Sequence, residues 1–416
     1  MATVVLVGTL DTKGLEYDFL RKHIQGAGCD VIMVDVGPMG QTKVPADVTA
    51  DEVATAAGAD RAALVAAGDR GPAVATMTRG AIAIAQKLHA EHRLDAIAGL
   101  GGSGGSSIIS AVMQALPVGV PKLLVSTMAS GDTRPYVGTT DIAMMYSVVD
   151  VAGINGISEK TFSNAAAMIA GAAIAAAGFV PTAEVKPLLG ATMFGVTTPC
   201  VTAAREILEA KGYEVLVFHA TGAGGRSMEA LMRGGFIKGV LDITTTELAD
   251  ELVGGVLSAG PDRLEMAGSL GLPQVVSLGA LDMVNFGPVD TVPAAFKGRL
   301  FYEHNATVTL MRTTPAENAE LGRIIARKLN AATGPLAVFI PLKGVSMIDV
   351  EGMPFFDPVA DAALFDALRA DLRPEIEVHE VETDINDPAF AAAMAEKLDS
   401  FYRTATQQVE RIPVHA

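Results

Sequence analysis

A glycine-rich stretch, GLGGSGGSS at 99–107, contains the residues best suited by type and spacing to do chemistry. It follows the apolar segment LDAIAGL and precedes the apolar run IISAVMQAL, which is typical of a turn between a strand and a helix. Glycines let backbone amides approach a phosphate, and a helix amino terminus adds free N–H groups and a positive dipole end. The spacing matches neither G-x-x-x-x-G-K-[ST] nor G-x-G-x-x-G, so those mechanisms do not transfer. A plain strand–helix connection is the alternative. The expected anion-binding residues here are Gly101, Gly102, Ser103, Gly104, Gly105 and Ser106.

Two further turns follow apolar segments in the first half of the chain. GTLDTKG at 8–14 provides Asp11 and Thr12, which we expect either to cap a helix or to face a ligand. Lys13 in the same turn brings a cation suited to a phosphate. VSTMASGDTRPYVG at 125–138 adds Thr127, which we expect beside the same ligand unless this segment is only a surface loop.

The second half of the chain places acidic and imidazole side chains at the corresponding turns. His219, Glu247, Asp282 and His304 each follow an apolar segment, and parallel strands would bring all four to one sheet edge. Carboxylates, imidazoles and hydroxyls together suit general acid–base chemistry or a hard metal ion. No fixed metal signature is present, and for any one of these residues a cap or a hydrogen-bonded loop is the simpler interpretation.

The elements that must position these residues occur twice. ATVVLVGTLDTKGLEYDFLRKHIQGAGCDVIMVDVG near the start and LGATMFGVTTPCVTAAREILEAKGYEVLVFHATG about halfway share one strand–turn–helix–Gly–strand pattern. Gly8 aligns with Gly195, Gly28 with Gly212 and Asp35 with His219, and the match continues through 94–107 against 237–250. Recurrence at this long separation indicates domain duplication and not a short-period solenoid. The sequence therefore predicts an α/β fold of two Rossmann-like lobes, each an open parallel sheet, related by internal duplication.

The predicted boundary lies in GFVPTAEVKP (178–187), which contains two prolines and a glycine. It separates a first lobe, 1–185, for nucleotide or phosphate binding from a second lobe, 186–416. We expect the second lobe to form the substrate or acid–base side of an interlobe cleft. The predicted strands of the second lobe include 190–196, 214–219, 238–243, 274–279 and 306–311.

Composition excludes several classes of protein. The net charge of −16 is unsuited to a general nucleic-acid surface, so an anionic ligand must be held by local amides and a few cations. The most apolar run, 164–180, is shorter than the roughly 20 residues that span a membrane, which predicts a buried helix. The chain starts directly with a strand, and its two isolated cysteines suit a reducing compartment, so we expect a cytoplasmic location.

Three segments, GTLDTKGLEY, GLGGSGGSS and VSTMASGDTRPYVG, carry a specific resemblance to a known family. It comprises the ATP-binding amino-terminal domain of the tomato mosaic virus resistance protein and its bacterial relatives of unassigned activity. The resemblance runs through nearly the whole chain. It implies two Rossmann-like halves, a cytosolic location, a homodimer, and ATP as cofactor with or without magnesium. In the plant protein a domain resembling TIM-barrel phosphoenolpyruvate-type enzymes follows, so here a separate partner protein could supply that domain.

Three functions are compatible with these residues. The leading hypothesis is an ATP-binding enzyme acting on a small metabolite in the interlobe cleft. The second is a nucleotide-responsive regulatory protein without chemistry. The third is a nucleotide-independent lyase, isomerase or hydrolase of a small carboxylate or sugar acid, with the glycine loop holding the acid. The cluster of His219, Glu247, Asp282 and His304 favours catalysis over binding alone.

Overall fold

The structure is a computed structural model that describes residues 1–42, 44–180 and 186–410, the last three by their backbone only. The chain divides into two compact units, Met1–Ala183 and Glu184–Ala416. Part of the predicted linker, 181–185, lies outside the described residues. Within the described ranges, no helix is both long and apolar enough to cross a membrane.

The first unit alternates strands and helices along most of its length. Its strands are β1 (Thr3–Gly8), β2 (Asp30–Asp35), β3 (Ala96–Gly101), β4 (Lys122–Ser126) and β5 (Ile142–Tyr146). Its helices are α1 (Leu10–Gly26), α2 (Ala50–Ala56), α3 (Arg61–Ala67), α4 (Arg70–Ala90), α5 (Ser103–Gln114), α6 (Arg134–Val137) and α7 (Gly156–Ala177).

The five strands form one parallel sheet in the order β2-β1-β3-β4-β5. One face packs against α1 and α7, and the other against α2, α4 and α5, so the sheet is covered on both sides. Burial on both faces explains why β3 is apolar throughout. Strand order reverses between β1 and β3, and in open sheets of this order the ligand crevice lies at the carboxyl ends of the two strands flanking that reversal.

The second unit contains more elements. Its strands are β6 (Leu188–Met193), β7 (Glu214–His219), β8 (Ile237–Thr244), β9 (Gln274–Gly279), β10 (Met283–Phe286), β11 (Phe301–Asn305), β12 (Val308–Arg312), β13 (Leu336–Pro341) and β14 (Glu377–Val381). Its helices are α8 (Thr198–Ala210), α9 (Ala223–Arg233), α10 (Thr246–Val253), α11 (Met266–Ser269), α12 (Pro315–Asn330), α13 (Pro358–Asp371) and α14 (Pro388–Glu410).

Six of these strands form a parallel sheet in the order β14-β13-β9-β8-β6-β7. Helices α8 and α14 cover one face, and α12 and α13 pack on the other. The remaining strands form a separate antiparallel sheet, β10-β12-β11. The sequence-based placement of 306–311 beside the parallel strands was therefore wrong, because this segment is one arm of a hairpin.

The duplication is visible in the topology. Strands β1 to β4 take the relative order 2-1-3-4, and β6 to β9 repeat that order with the same parallel pairing. Gly28 and Gly212 both have positive φ, +91° and +97°, and each lies two residues before the start of its strand, β2 or β7. The strand register corrects one detail of the alignment: Gly8 pairs with Asp35, whereas Met193, and not Gly195, pairs with His219.

Candidate functional site

The glycine loop lies at the carboxyl end of β3, on one side of the β1/β3 reversal. Helix α5 begins at Ser103, and no side chain of the described residues caps its first turn. Ser103 and Gly104 are exposed, and Gly102 and Gly105 are half-buried. The amides of this turn therefore face an accessible surface, which is what an anion site at a helix start requires.

One predicted donor in this loop does not face outward. Ser106 is fully buried, and its hydroxyl lies 2.6 Å from the hydroxyl of Ser126 at the end of β4. Ser106 Oγ also donates to the carbonyl of Gly101 at 3.3 Å. The expectation that Ser106 contacts a ligand is corrected, since its hydroxyl instead fastens the loop to the neighbouring strand.

Thr127 does lie beside the loop. A methyl group built on Gly102 would be 3.8 Å from Oγ1 of Thr127, which starts a short 3-10 turn after β4. Ser126 Oγ caps that turn by accepting from the amide of Met128 at 2.9 Å. The ends of β3 and β4 thus present one polar surface, and the contact of Thr127 with a ligand stays a prediction.

The β1 turn contributes on the other side of the reversal. Helix α1 starts at Leu10 after Thr9, so the expectation that Asp11 or Thr12 is the cap residue was wrong. Asp11 Oδ2 accepts instead from the amide of Gly40 at 3.0 Å. The ammonium of Lys13 donates to the carbonyl of Val151, and α1 is kinked at Lys13. A phosphate contact by Lys13 would therefore compete with an existing hydrogen bond.

Sequence reasoning missed a cation beside the glycine loop. A methyl group built on Gly104 would lie 3.7 Å from Nη2 of Arg70, the exposed first residue of α4. The segment before Arg70 has no motif that singles out this residue. Proximity of Arg70 to the loop depends on the packing of α4 against α5, which a local pattern does not reveal.

The second unit fills the equivalent position with side chains. Val5 pairs with Ile97 and Gly190 with Val240, which makes Gly101 equivalent to Thr244 and Gly104 to Glu247. Thr244 Oγ1 lies 2.7 Å from Oγ1 of Thr197, and its amide donates to Thr192 Oγ1 at 3.0 Å. Thr244, Thr245 and Thr246 are fully buried, so this crevice is closed where the first unit leaves amides exposed.

Glu247 is fully buried within an ion network. Its Oε2 accepts from Arg263 Nε at 2.6 Å, and Arg263 forms two further bonds to Asp242 at 2.6 and 2.7 Å. Its Oε1 accepts from the amides of Gly222 and Gly225, at 2.7 and 3.1 Å, at the start of α9. Glu247 thus occupies an anion position at a helix start that an external ligand would otherwise take.

Asp282 belongs to a second buried network. Its Oδ2 accepts from Ser346 Oγ at 2.8 Å, while Oδ1 has no hydrogen-bond partner among the described residues. Arg312 donates through Nη2 to Asp349 at 3.0 Å and to Asp361 at 2.7 Å. Burial raises the pKa of Asp282 to about 6 and, with repulsion from Asp282 and Asp361, that of Asp349 to about 9. A protonated Asp349 beside Asp361 reduces the uncompensated charge in this cluster.

The two histidines lie in different sheets. His219 is exposed at the end of β7, with its ring centroid 5.5 Å from that of Phe194. His304 is exposed on β11 of the antiparallel sheet, so the expectation that it joins the parallel-strand edge was wrong. Across the ranges that the structure describes, no cluster of three or more His, Cys, Asp or Glu side chains is arranged to hold a metal ion.

Known protein families match both units. Residues 2–178 match the profile described as "Uncharacterised protein family (UPF0261) N-terminal domain", and 186–402 match the corresponding C-terminal domain. The chain belongs to the UPF0261 family. This confirms the resemblance drawn from the three sequence segments.

Relatives in this family match nearly the whole chain. A UPF0261 protein of Clostridium tetani is 54% identical over 397 residues, covering 95% of this chain and 98% of that protein. The tomato (Solanum lycopersicum) protein named ToMV resistance protein Tm-1(GCR237) is 42% identical over 418 residues, covering 96% of this chain but 55% of the tomato protein.

Solved structures outside the family show only a remote likeness. UDP-N-acetylglucosamine 2-epimerase from Rickettsia bellii aligns over 99% of this chain and 98% of its own, at 9% identity and a TM-score of 0.22. At that score nothing about the ligand or activity of the UPF0261 chain follows from it.

Proposed function

We propose that the first unit binds the phosphates of ATP at the β1/β3 reversal, on the backbone amides of the turn 102–105, where Ser103 and Gly104 are exposed. The observation that carries this proposal is the uncapped start of α5 at that reversal. Three features coincide at this point. The strands end at a topological switch point, glycines without side chains leave the backbone accessible, and the first N–H groups of α5 are free to bind an anion.

Arg70 supports the same proposal. The protein carries a net charge of −16, so a polyphosphate needs a local cation in addition to amides. Nη2 of Arg70 lies within contact distance of the Gly104 position, where it can pair with a terminal phosphate. Thr127 and Thr12 supply hydroxyl donors on either side, and magnesium would neutralise further phosphate charge.

The contrast between the two units supports placing the nucleotide on the first unit and not on the second. In the second unit Glu247 takes the place of Gly104, and threonine side chains take the place of the open loop. A carboxylate so placed repels a phosphate. We therefore propose one nucleotide per chain, on the first unit. The choice of ATP among nucleotides rests on the family resemblance.

Titration calorimetry with ATP, with and without magnesium, tests the proposal. A methyl group at Gly104 would meet only the end of the flexible Arg70 side chain, at 3.7 Å, so the fold should persist when Gly104→Val blocks the amides with a branched side chain. We expect at least a 100-fold loss of ATP affinity. Gly156→Val is the matched control, because Gly156 is also in the first turn of a helix and has open space around it. A folded Gly104→Val protein that binds ATP as wild type does would refute the proposal.

A second candidate function is nucleotide-responsive regulation without chemistry. It is favoured by the burial of Glu247 and Asp282, which leaves His219 as the exposed candidate at the parallel edge of the second unit. The catalytic roles predicted for these side chains stay predictions. Release of phosphate from ATP only when a small carboxylic acid is added would favour the enzyme. Binding of ATP without turnover across a panel of such acids would favour regulation.

A further inference from the structure

Strand β2 is the outermost strand of the first sheet, and a short segment of its own chain covers its free edge. The amide of Asp35 donates to the carbonyl of Val48 at 2.9 Å. The amides of Asp47 and Val48 donate to the carbonyl of Met33 at 2.8 and 3.0 Å. The segment 44–48 therefore runs parallel to β2 and satisfies backbone groups that an edge strand would otherwise leave unpaired.

Side chains fasten this covering segment to the sheet and to helix α1. Arg21 of α1 forms an ion pair with Asp47 at 3.3 Å. The carboxylate of Asp47 also accepts from the amide of Met33 at 2.8 Å. Val44 and Ala46 pack against the apolar cluster that α1 forms with the sheet. The segment thus combines an acid, held by an arginine and an edge amide, with small apolar side chains under the helix.

Strand β7 is the outermost strand of the second parallel sheet, and its edge has no such cover. Alternate residues of β7 turn their backbone away from β6, and these are Val215, Val217 and His219. Within the described ranges no other segment pairs with the backbone of Val215 or Val217. Val217 corresponds to Met33, since each lies two residues before the end of its strand. This edge is therefore free to accept a further strand.

The duplication also preserves the arginine. Gly28 and Gly212 follow helices α1 and α8, and each donates its amide to the carbonyl three residues earlier, at 3.0 and 3.1 Å. Arg205 precedes Gly212 by as many residues as Arg21 precedes Gly28. Arg205 of α8 is therefore the equivalent of the arginine that holds the covering segment in the first unit.

A cavity of about 490 Å³ lies beside the β7 edge. Its lining includes Val201 and Arg205 of α8 and Val217 of β7. The side chain of Arg205 is 50% exposed and donates to Glu209 of its own helix at 2.7 Å. The second unit thus has the free edge, the arginine and the space for apolar side chains. Among the described residues, only the strand that would use them is missing.

We propose that the outer edge of β7 binds an extended segment of another protein as an additional parallel strand. The segment carries an acidic residue between small apolar ones, as Ala46, Asp47 and Val48 do at β2. Its carboxylate pairs with Arg205 and accepts from the amide of Val217, and the preceding apolar side chain enters the cavity. A parallel strand excludes symmetric pairing of β7 with a second copy, because a two-fold axis makes identical strands antiparallel.

A peptide with the sequence of 41–49, QTKVPADVT, is the probe, because this sequence contains the segment that covers β2. Fluorescence anisotropy of the labelled peptide measures its binding to the full chain, and hydrogen exchange locates it. We expect saturable binding that slows exchange in 214–219. Arg205→Ala should weaken binding by about 10-fold or more, as the loss of a charge-assisted contact does, and so should Asp47→Asn in the peptide. Arg323→Ala is the matched control, since Arg323 also pairs with a carboxylate of its own helix and its side chain is 52% exposed.

A modified peptide tests the strand geometry without altering the protein. Methylation of the backbone nitrogen of Val48 in the peptide removes an amide that should donate to the carbonyl of Val217, so binding should weaken by about 10-fold or more. Equal binding of the methylated and parent peptides overturns strand addition. Failure of the parent peptide to bind, binding that Arg205→Ala leaves unchanged, or protection outside 214–219 overturns the assignment to β7.

Discussion

Tyr17 is hydrogen-bonded through its hydroxyl to the backbone of Leu100, so that helix α1 bridges strands β1 and β3 near their carboxyl ends. The hydroxyl accepts from the amide of Leu100 at 2.8 Å and donates towards the carbonyl of Val7 at 2.6 Å. The pairing of β1 with β3 ends at Leu6 and Ala98, and the Tyr17 hydroxyl binds the backbone just beyond that point. Burial raises the pKa of Tyr17 well above its usual range, so the hydroxyl remains protonated.

We predict that Tyr17→Phe lowers the free energy of unfolding by about 1 to 3 kcal/mol, because buried backbone groups lose their partner. Urea denaturation of wild type and variant measures the difference. Tyr136→Phe is the control, since no hydrogen bond of the described residues involves its hydroxyl, and it should change stability by less than about 0.5 kcal/mol. Equal stability of Tyr17→Phe and wild type would show that the bridge is dispensable.

Arg70 and Lys13 should contribute unequally to ATP binding. Arg70→Ala should weaken ATP binding by about 1 to 3 kcal/mol, as expected for a charge-assisted contact. Lys13→Ala should cost less, because the ammonium of Lys13 already donates to the carbonyl of Val151. Calorimetry at two salt concentrations checks the order. Arg93→Ala, just beyond the carboxyl end of α4, serves as control. A larger loss from Lys13→Ala than from Arg70→Ala would reverse the assignment.

Glu247 should matter for stability and not for ATP affinity. Glu247→Gln places an amide donor against Arg263 Nε, and breaking a buried pair in this way typically costs about 3 to 5 kcal/mol. Glu251→Gln, exposed on the same helix, should cost about 1 kcal/mol or less. Glu247→Ala should regain thermal stability when formate is added, because the small carboxylate can bind Arg263 and the amides of Gly222 and Gly225. A formate-insensitive Glu247→Ala protein, or a Glu247→Gln protein as stable as wild type, would contradict this interpretation.

Asp349 should make stability depend on pH. The pKa of Asp349 is about 9 in the folded protein, against a value near 3.8 in the unfolded chain. Between these two pH values the folded state therefore holds a proton that the unfolded state has lost. Stability from this group therefore falls as pH rises from about 4 to 9, by up to about 1.4 kcal/mol per pH unit.

Asp349→Asn keeps a neutral group beside Arg312, Asp282 and Asp361 and removes this titration. The variant should gain stability relative to wild type between pH 5 and pH 9, measured by urea denaturation at each pH. A difference between the two proteins that does not change with pH would exclude a shifted Asp349.

The sequence by itself determined the α/β class, the duplication and the position of the glycine loop. Each depends on local signals: apolar strands, turn glycines such as Gly28 and Gly212, and a glycine run before an apolar helix. These signals hold because backbone conformation and strand burial are dictated largely by neighbouring residues. The matching strand orders of the two units confirm that part of the interpretation.

Only the tertiary structure decided which polar side chains stay accessible. Glu247 and Asp282 follow strands just as an active-site acid would, but Arg263 and Arg312 reach them from other parts of the chain and bury them. Ser106 faces inward because Ser126 lies on the next strand, and Arg70 reaches the glycine loop because α4 packs on α5. The sequence around a carboxylate or hydroxyl residue looks the same whether its side chain is exposed to solvent or hydrogen-bonded inside the protein. The role of that side chain is fixed by the residue that the folded chain places opposite it, because burial of a charge is tolerated only with a counter-charge or hydrogen bonds.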